Sequence, residues 1–256
     1  MGYVDLHTHI LPGLDDGPKS WDDTLEMARS IEESGTSIVV ATPHYDFESP
    51  SFEPDLIKEL TVKMTDLLEQ KEIGLQVFPG AEVRISTALM EAANTSVDLT
   101  PLTINRTGKY LLFELPFTEV PLTTKDAIFA LRLRGIHPLL AHPERNLRLS
   151  SKSSEIISLV SAGCLIQVNS SSLSGRYGRK AKKTSVSLIK EGLVSAIASD
   201  AHSKESGGID LKVAYVFLTN IGGQPLAQAL LKDNPMRIAM GEPLRSLREQ
   251  RSRGLA

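Results

Sequence analysis

Imidazole and carboxylate side chains occur in this 256-residue sequence in short motifs where two of them could bind the same metal ion. His7 and His9 stand two residues apart, and so do Asp200 and His202. In extended backbone, residues i and i+2 point to the same side, so each pair can direct both groups at one centre. Imidazole combined with carboxylate suits Zn, Mn or Fe, and a carboxylate-rich site also accepts Mg. The two motifs therefore indicate a divalent-metal site.

Further candidate ligands follow other apolar runs of the chain. They are His44 in Ala-Thr-Pro-His, Glu82 in Pro-Gly-Ala-Glu, Glu114 after Phe113, and His142 in Ala-His-Pro-Glu-Arg. Taken alone, most have an ordinary alternative, because a loop histidine or a solvated loop acid needs no metal. Glu114 is harder to explain without one, since a carboxylate in an apolar setting is costly unless it is paired or metal-bound. Eight ligands exceed what one tetrahedral ion accepts, which favours two or three clustered metals that activate water and hold a phosphoryl group.

The segments that must position these ligands alternate between short β-branched runs and longer amphipathic runs, several of which end at glycine. This alternation is typical of βα units and favours a closed or nearly closed (β/α) barrel over the alternative of an open doubly wound sheet. The predicted strands are Tyr3–Leu6, Ser37–Ala41, Leu75–Pro79, Tyr110–Glu114, His137–Ala141, Leu165–Asn169 and Ser195–Ser199. The first predicted helix begins after Ser20, which could cap it, and ends at Gly35. The other predicted helices lie at about Pro54–Lys71, Thr124–Arg134, Ser153–Ala162, Lys180–Glu191 and Leu211–Ile221.

Active groups of a (β/α) barrel lie at the carboxyl ends of its strands. Five of the six histidines, together with Glu82, Glu114 and Asp200, end or follow predicted strands. These side chains would therefore share one rim of the barrel. The sixth histidine, His137, begins its strand at the opposite end, and we expect it to be structural.

Composition excludes several other classes of protein. The single cysteine, Cys164, allows no intramolecular disulfide and no cysteine-rich zinc site, and we expect it to be a small core residue. A net charge of -3 gives no case for a protein that coats nucleic acid. The sequence shows no signal peptide and no apolar run of about 18 residues, which predicts a cytoplasmic protein without membrane insertion. Residues 244–256, with Arg245, Arg248, Arg251 and Arg253, read as a basic and flexible tail after one domain of residues 1–243.

These motifs carry a family likeness that covers roughly Tyr3 to Gly241. The chain resembles the polymerase-and-histidinol-phosphatase (PHP) superfamily and, more narrowly, the manganese-dependent bacterial protein-tyrosine phosphatases of capsule and exopolysaccharide operons. The narrower likeness is carried by Leu-Asp-Asp-Gly-Pro before Lys19, by Gln-Val-Asn-Ser-Ser before Ser172 and by the His-Pro-Glu-Arg motif. The broader one is carried by Asp-Leu-His-Thr-His, Ala-Thr-Pro-His, Gly-Ala-Glu and Ser-Asp-Ala-His.

The resemblance implies a single-domain α/β fold, a distorted TIM-like (β/α)7 barrel, with a site for two or three divalent ions. The ions would be Mn²⁺, with Fe, Zn, Co or Mg as alternatives. Carried over residue by residue, one metal is expected on His7, His9, Glu82 and Asp200, a second on Glu82, Glu114 and His142, and a third on Asp16, His44 and His202. Asp16, rather than Asp15, matches the family ligand through its position before Gly17, although composition alone predicts a turn there.

The resemblance also implies catalytic roles for Arg145, Asp200 and Glu114, with Arg145 contacting the phosphate. A metal-bridged hydroxide would attack phosphorus in line, and the substrate would be the tyrosine-rich tail of a bacterial tyrosine autokinase that controls polysaccharide export. The family often has a second arginine shortly after the Asp-x-His motif. Lys204 is the only cation in that stretch here, so Arg176, Arg179 or Lys180, which follow Asn169, are candidate replacements.

Metal ligands recognise only the phosphate, so they do not distinguish between several possible functions. The same chemistry would serve histidinol phosphate or another small phosphomonoester, because leaving-group preference would lie in the loops Tyr45–Phe52, Pro116–Pro121 and Ser170–Arg179. A nuclease that acts on nucleic-acid ends is a third hydrolytic reading, which the net charge disfavours. A non-catalytic metal-binding module is the alternative from another class.

Overall fold

The computed structural model describes residues 2–205 and 209–244, so the predicted basic tail, from Arg245 onwards, lies outside the described residues. The strands are β1 (Tyr3–Thr8), β2 (Thr36–Ala41), β3 (His44–Tyr45), β4 (Gln76–Pro79), β5 (Glu82–Arg84), β6 (Tyr110–Glu114), β7 (His137–Leu140), β8 (Leu165–Asn169) and β9 (Ala196–Ala198). The α-helices are α1 (Trp21–Glu33), α2 (Asp55–Gln70), α3 (Thr87–Ala93), α4 (Thr124–Leu133), α5 (Ser153–Ser161), α6 (Ser170–Ser174), α7 (Gly178–Lys190), α8 (Leu211–Gln228) and α9 (Asn234–Ala239).

Every pairing between these strands is parallel. The hydrogen-bonded orders are β1-β2-β4 and β3-β5-β6-β7-β8-β9. Two residues separate β2 from β3 and two separate β4 from β5, and the pairing of β3 with β5 continues that of β2 with β4. Thr8 forms a parallel bridge with Ala201, and the His9 amide donates to the Ala201 carbonyl at 2.8 Å. The chain is thus a single α/β domain whose parallel sheet curves into a half-barrel.

Apolar residues fill both faces of the sheet. Val4 and Leu6 of β1 belong to an inner cluster that also holds Leu112, whereas Val39 of β2 belongs to a larger cluster shared with the helices. Val40, next in sequence, points back into the inner cluster. Strands buried on both faces read as continuous apolar runs, which is why their positions could be predicted.

Helix α1 shows how sequence signals set the helix boundaries. The Ser20 hydroxyl oxygen accepts a hydrogen bond from the Asp23 amide at 3.2 Å, as expected of an N-cap residue. The helix buries Leu25, Ala28 and Ile31 on one face. It ends before Gly35, whose φ of +89° is the left-handed conformation that glycine adopts readily.

Some elements differ from the sequence prediction. Strands β3 and β5 were not predicted, since two or three residues are too few to show a period-2 pattern. Helix α3 was not predicted either. Helix α8 runs beyond the predicted end at Ile221 to Gln228, across non-helical backbone at Gly222 and Gly223.

The segment expected to be a loop, Ser170–Arg179, is instead largely helical. It forms α6 and the first residues of α7, so Arg179 lies on a helix rather than in a loop. Lys180 lies in α7, within the range predicted to be helical. Serines favour caps and turns over helix interiors, and this preference hid α6 in the sequence. Among the helices in the described part of the chain, none has the length and hydropathy needed to cross a membrane.

Candidate metal centre

All nine predicted ligands come together in space. Each one falls in at least one group of three or four residues whose donor atoms lie within 4.8 Å of one another. The groups are His9, Asp16, His44 and His202; His7, Glu82 and His142; His7, His9 and Asp200; and His44, Glu82 and Glu114. Segments almost 200 residues apart in sequence meet here because the end of β1 lies beside the end of β9.

The grouping resembles the division into three metals that the family likeness implies. Asp16, His44 and His202, expected on a third metal, share one group, with His9 added. Glu82 occurs in two groups, as a bridging carboxylate would. There are two differences. Glu82 is absent from the group of His7, His9 and Asp200, although all four were expected on one metal. Glu114 and His142, expected around the same metal, fall in separate groups, each of which contains Glu82.

The innermost donors face one another without normal hydrogen-bond partners. His7 Nε2 lies 3.1 Å from His9 Nε2 and 3.2 Å from Glu82 Oε2, and all three residues are fully buried. Glu82 Oε2 and His44 Nδ1 are 3.0 Å apart, yet neither has a hydrogen-bond partner among the described residues. Buried polar atoms left unpaired are costly. A divalent cation would satisfy these atoms, so the donor set fits the metal that the sequence predicts.

A second layer of side chains fixes the orientation of the first two histidines. His7 Nδ1 lies 3.0 Å from Gln167 Oε1, and His9 Nδ1 lies 2.6 Å from Asp15 Oδ2. Each contact occupies Nδ1 and turns Nε2 toward the centre, as partners of metal-binding histidines commonly do. The sequence did not predict these roles for Asp15 and Gln167, since a contact made through space leaves no spacing signal.

The two adjacent aspartates, Asp15 and Asp16, therefore make different contacts. Asp15 bonds His9 and also accepts hydrogen bonds from the Gly17 and His44 amides. Asp16 Oδ1 instead lies 3.2 Å from His202 Nε2 and 3.6 Å from His44 Nε2. This placement supports the choice of Asp16 as the ligand.

Charge interactions and burial shift pKa values among the clustered ligands. Burial alone would lower the pKa of His7, but the negative charges of Glu82 and Asp200 outweigh burial and raise it to about 9. Burial would raise the pKa of Glu82, yet His7 and the hydrogen bond from His142 hold it well below its usual range. The pKa of Glu114 is raised, first by burial and then by the negative charge of Glu82.

Arg145 lies at the edge of the cluster through its contact with Asp200. Its Nη1 donates to Asp200 Oδ2 at 2.5 Å, and Asn169 Nδ2 donates to the same oxygen at 2.6 Å. Asp200 Oδ1, the other carboxylate oxygen, lies 3.5 Å from Nε2 of both His7 and His9. Asp200 thus joins the metal-ligand cluster to a partly exposed guanidinium that can bind an anion.

The other candidate cations do not share this position. Lys204 pairs with Glu26 of α1 at 2.5 Å, and Lys180 donates to Ser151 at the same distance. Of the five cations considered from the sequence, Arg145 alone contacts a predicted ligand in the described part of the chain. Arg176 and Arg179 are exposed.

Cys164 and His137 lie away from the cluster. Cys164 is 2% exposed, and burial raises the pKa of its thiol to about 12. His137 stacks on Tyr110 at a centroid distance of 5.1 Å and contacts Arg132. Burial and then the charge of Arg132 lower the pKa of His137. Neither residue belongs to a ligand group.

The chain is similar in sequence to two bacterial tyrosine-protein phosphatases. The tyrosine-protein phosphatase YwqE of Bacillus subtilis (strain 168) is 34% identical over 230 residues, which cover 90% of this chain and 89% of YwqE. The tyrosine-protein phosphatase CpsB of Streptococcus pneumoniae is 25% identical over 247 residues, covering 93% of this chain and 99% of CpsB.

A solved structure and a family model extend the match to the whole fold. The structure comes from work on YwqE from Bacillus subtilis and CpsB from Streptococcus pneumoniae, described as unique metal-dependent tyrosine phosphatases. It superposes with a TM-score of 0.87 and 31% identity, over 94% of this chain and 96% of the other. A family model for capsular polysaccharide synthesis, CpsB/CapC, matches residues 3–240. The chain belongs to the CpsB/CapC family of capsular polysaccharide synthesis, which confirms the narrower resemblance read from its motifs.

Proposed function

We propose that this protein is a metal-dependent protein-tyrosine phosphatase. The observation that carries the proposal is the cluster of nine histidine and carboxylate ligands joined through Asp200 to Arg145. Such a site combines positive charge for a phosphoryl group with a place to activate water. The names of the relatives YwqE and CpsB support phosphotyrosine as the substrate.

The proposed metal ligands are His7, His9, Asp16, His44, Glu82, Glu114, His142, Asp200 and His202. We propose two or three bound ions, with Mn²⁺ as the physiological metal. Such ions supply Lewis-acid charge and activate water for attack on phosphorus. The protein's own side chains orient the ligands: Asp15 and Gln167 hold the rings of His9 and His7, and Asn169 holds Asp200.

Arg145 is the proposed binding group for the phosphate. Its guanidinium carries five N–H donors, and the contact with Asp200 leaves others free to bind phosphoryl oxygens. Tyrosine would leave as a phenolate, a fair leaving group, so a dedicated general acid is less necessary. A catalytic thiol is not required, in keeping with the buried Cys164.

Finer features of the protein follow as further proposals. Counting β2 with β3 and β4 with β5 as single interrupted strands gives a distorted, TIM-like (β/α)7 barrel, which the bridge between β1 and the end of β9 would close. Residues 1–243 would form its one domain. We propose a cytoplasmic location and, as substrate, the phosphorylated tyrosine-rich tail of a bacterial tyrosine kinase in exopolysaccharide or capsule synthesis.

The test compares two substrates of the same protein. Metal-free protein is reloaded with Mn, Co, Zn or Mg and assayed with a phosphotyrosine peptide and with histidinol phosphate. We expect a clear preference for the peptide and loss of turnover in Asp200→Ala. A strong preference for histidinol phosphate would replace this proposal with the small-phosphomonoester alternative, and no hydrolysis at all would favour a non-catalytic metal-binding module.

A further inference from the structure

Two aromatic side chains flank the guanidinium of Arg145. The Arg145 Cζ atom lies 4.2 Å from the centre of the Tyr177 ring and 5.1 Å from the centre of the Phe117 ring. Both distances are within the range of cation–π contact. The proposed phosphate-binding group is therefore bordered by aromatic surface.

Both rings are also open to solvent. Phe117 is 53% exposed and Tyr177 is 37% exposed, although each has an apolar ring that burial would stabilise. An exposed aromatic residue on its own needs no explanation. Two exposed rings beside the same partly buried cation do need an explanation, because together they form an apolar surface next to a charged site.

The rings come from separate loops that are tied in place. The backbone of Phe117 accepts a hydrogen bond from the Leu147 amide at 2.7 Å. Asn146, which directly follows Arg145, donates to the carbonyls of Pro116 and Glu119 on either side of Phe117. Tyr177 stands immediately before α7, and the preceding Arg176 amide donates to Ser171 of α6. Phe117 is thus held by the segment that directly follows Arg145, and Tyr177 is held in the connection between α6 and α7.

We propose that Phe117 and Tyr177 are specificity-determining residues that contact the phenyl ring of a phosphotyrosine substrate. This inference rests on the proposed function and gives a structural reason why the substrate would be phosphotyrosine. A phosphoryl group bound at Arg145 directs its ester substituent outward past the neighbouring rings. A phenyl ring gains aromatic contact there, whereas a short alkyl substituent gains little. The two residues therefore select aryl over alkyl phosphates.

The first test measures kcat/KM for a phosphotyrosine peptide and for a phosphoserine peptide of the same sequence. Phe117→Ala and Tyr177→Ala should each lower the value for phosphotyrosine by about threefold to tenfold, the range expected for an aromatic pair, and leave phosphoserine unchanged. Phe117→Tyr and Tyr177→Phe should retain the selectivity, because each keeps a ring. Phe129→Ala, which removes an exposed ring from α4, is the matched control.

A binding measurement separates this inference from the proposed function. Calorimetry of metal-loaded protein should show tighter binding of phenylphosphonate than of methylphosphonate, and each alanine variant should reduce that preference. The inhibition constant of inorganic phosphate should stay constant, since phosphate has no ring. Equal losses for aryl and alkyl ligands, or no loss for either, would overturn the inference. Failure of the unchanged protein to hydrolyse phosphotyrosine would overturn the proposed function instead, and the phosphonate preference would still test the rings.

Discussion

At the scale of single residues, the site depends on which nitrogen each histidine presents. Asp15 and Gln167 occupy Nδ1 of His9 and His7, so both Nε2 atoms face the centre. The ligands themselves could be predicted because their types and spacings repeat at strand ends. Their partners could not, because Asp15 differs from Asp16 only in the direction its side chain takes after folding.

Removal of the Asp15 carboxylate tests this orienting role. Asp15→Ala should weaken Mn²⁺ binding about 10- to 100-fold, since partners that hold metal-binding histidines contribute that much. Calorimetric titration of metal-free protein measures the change. Asp22→Ala, which removes an exposed acid from α1, should bind metal like the unchanged protein. Full affinity in Asp15→Ala would show that His9 needs no such support.

Removal of the thiol tests the absence of cysteine chemistry. Cys164→Ala should retain kcat/KM for phosphotyrosine, because the sulfur is buried and its pKa of about 12 keeps it protonated. The lost packing should cost about 1 kcal/mol of unfolding free energy, measured in urea. In the unchanged protein, Cys164 should react with a thiol reagent only after unfolding. Inactivation of folded protein by modification of Cys164 would contradict the account.

At the scale of elements, prediction succeeded where a pattern was long enough to be read. Strands such as β6 and β8 coincide with their predicted ranges because they are buried on both faces. The short strands β3 and β5, which carry His44 and Glu82, were not predicted, because two or three residues are too few to show an alternating pattern. Helix α6 was not predicted because its first three residues are serines. Tertiary contacts rather than helix propensity stabilise it.

Glu144 provides those tertiary contacts for α6. Its Oε1 accepts hydrogen bonds from the Asn169 amide at 2.9 Å and from the Ser172 hydroxyl at 2.6 Å. Glu144→Ala leaves two buried donors unpaired and should cost about 3 kcal/mol of unfolding free energy. Glu144→Gln keeps an acceptor oxygen and is the matched control. Equal stability of the two variants in urea would show that this contact does not hold α6.

At the scale of the whole molecule, the fold gathers several carboxylates in one place, and the neighbouring histidines offset their negative charge. The structure joins the end of β1 to the segment after β9, so His7 and Asp200, from opposite ends of the chain, share one ligand group. Sequence order gave no indication of which ligands share a group. The family likeness supplied that division, and the groups in the structure differ from it at Glu82, Glu114 and His142.

The charge cluster makes the stability of the metal-free protein depend on pH. The pKa of His7 in the folded protein, about 9, exceeds its ordinary value of 6.5, so folding favours its protonated form. That stabilisation is complete below pH 6.5 and is lost as pH rises through 9. We therefore expect the Tm of metal-free protein to fall over this interval. Stabilisation by added Mn²⁺ should grow over the same interval, because bound metal displaces the proton. A Tm of metal-free protein that rises from pH 6.5 to 9 would contradict this charge arrangement.

The central claim is that the nine ligands form one centre for several metal ions. The most direct measurement is the metal content per chain after reloading with Mn²⁺ and removal of excess metal, determined by elemental analysis. We expect two or three ions per chain in the unchanged protein and fewer in Asp200→Ala. One ion or none in the unchanged, folded protein would contradict it.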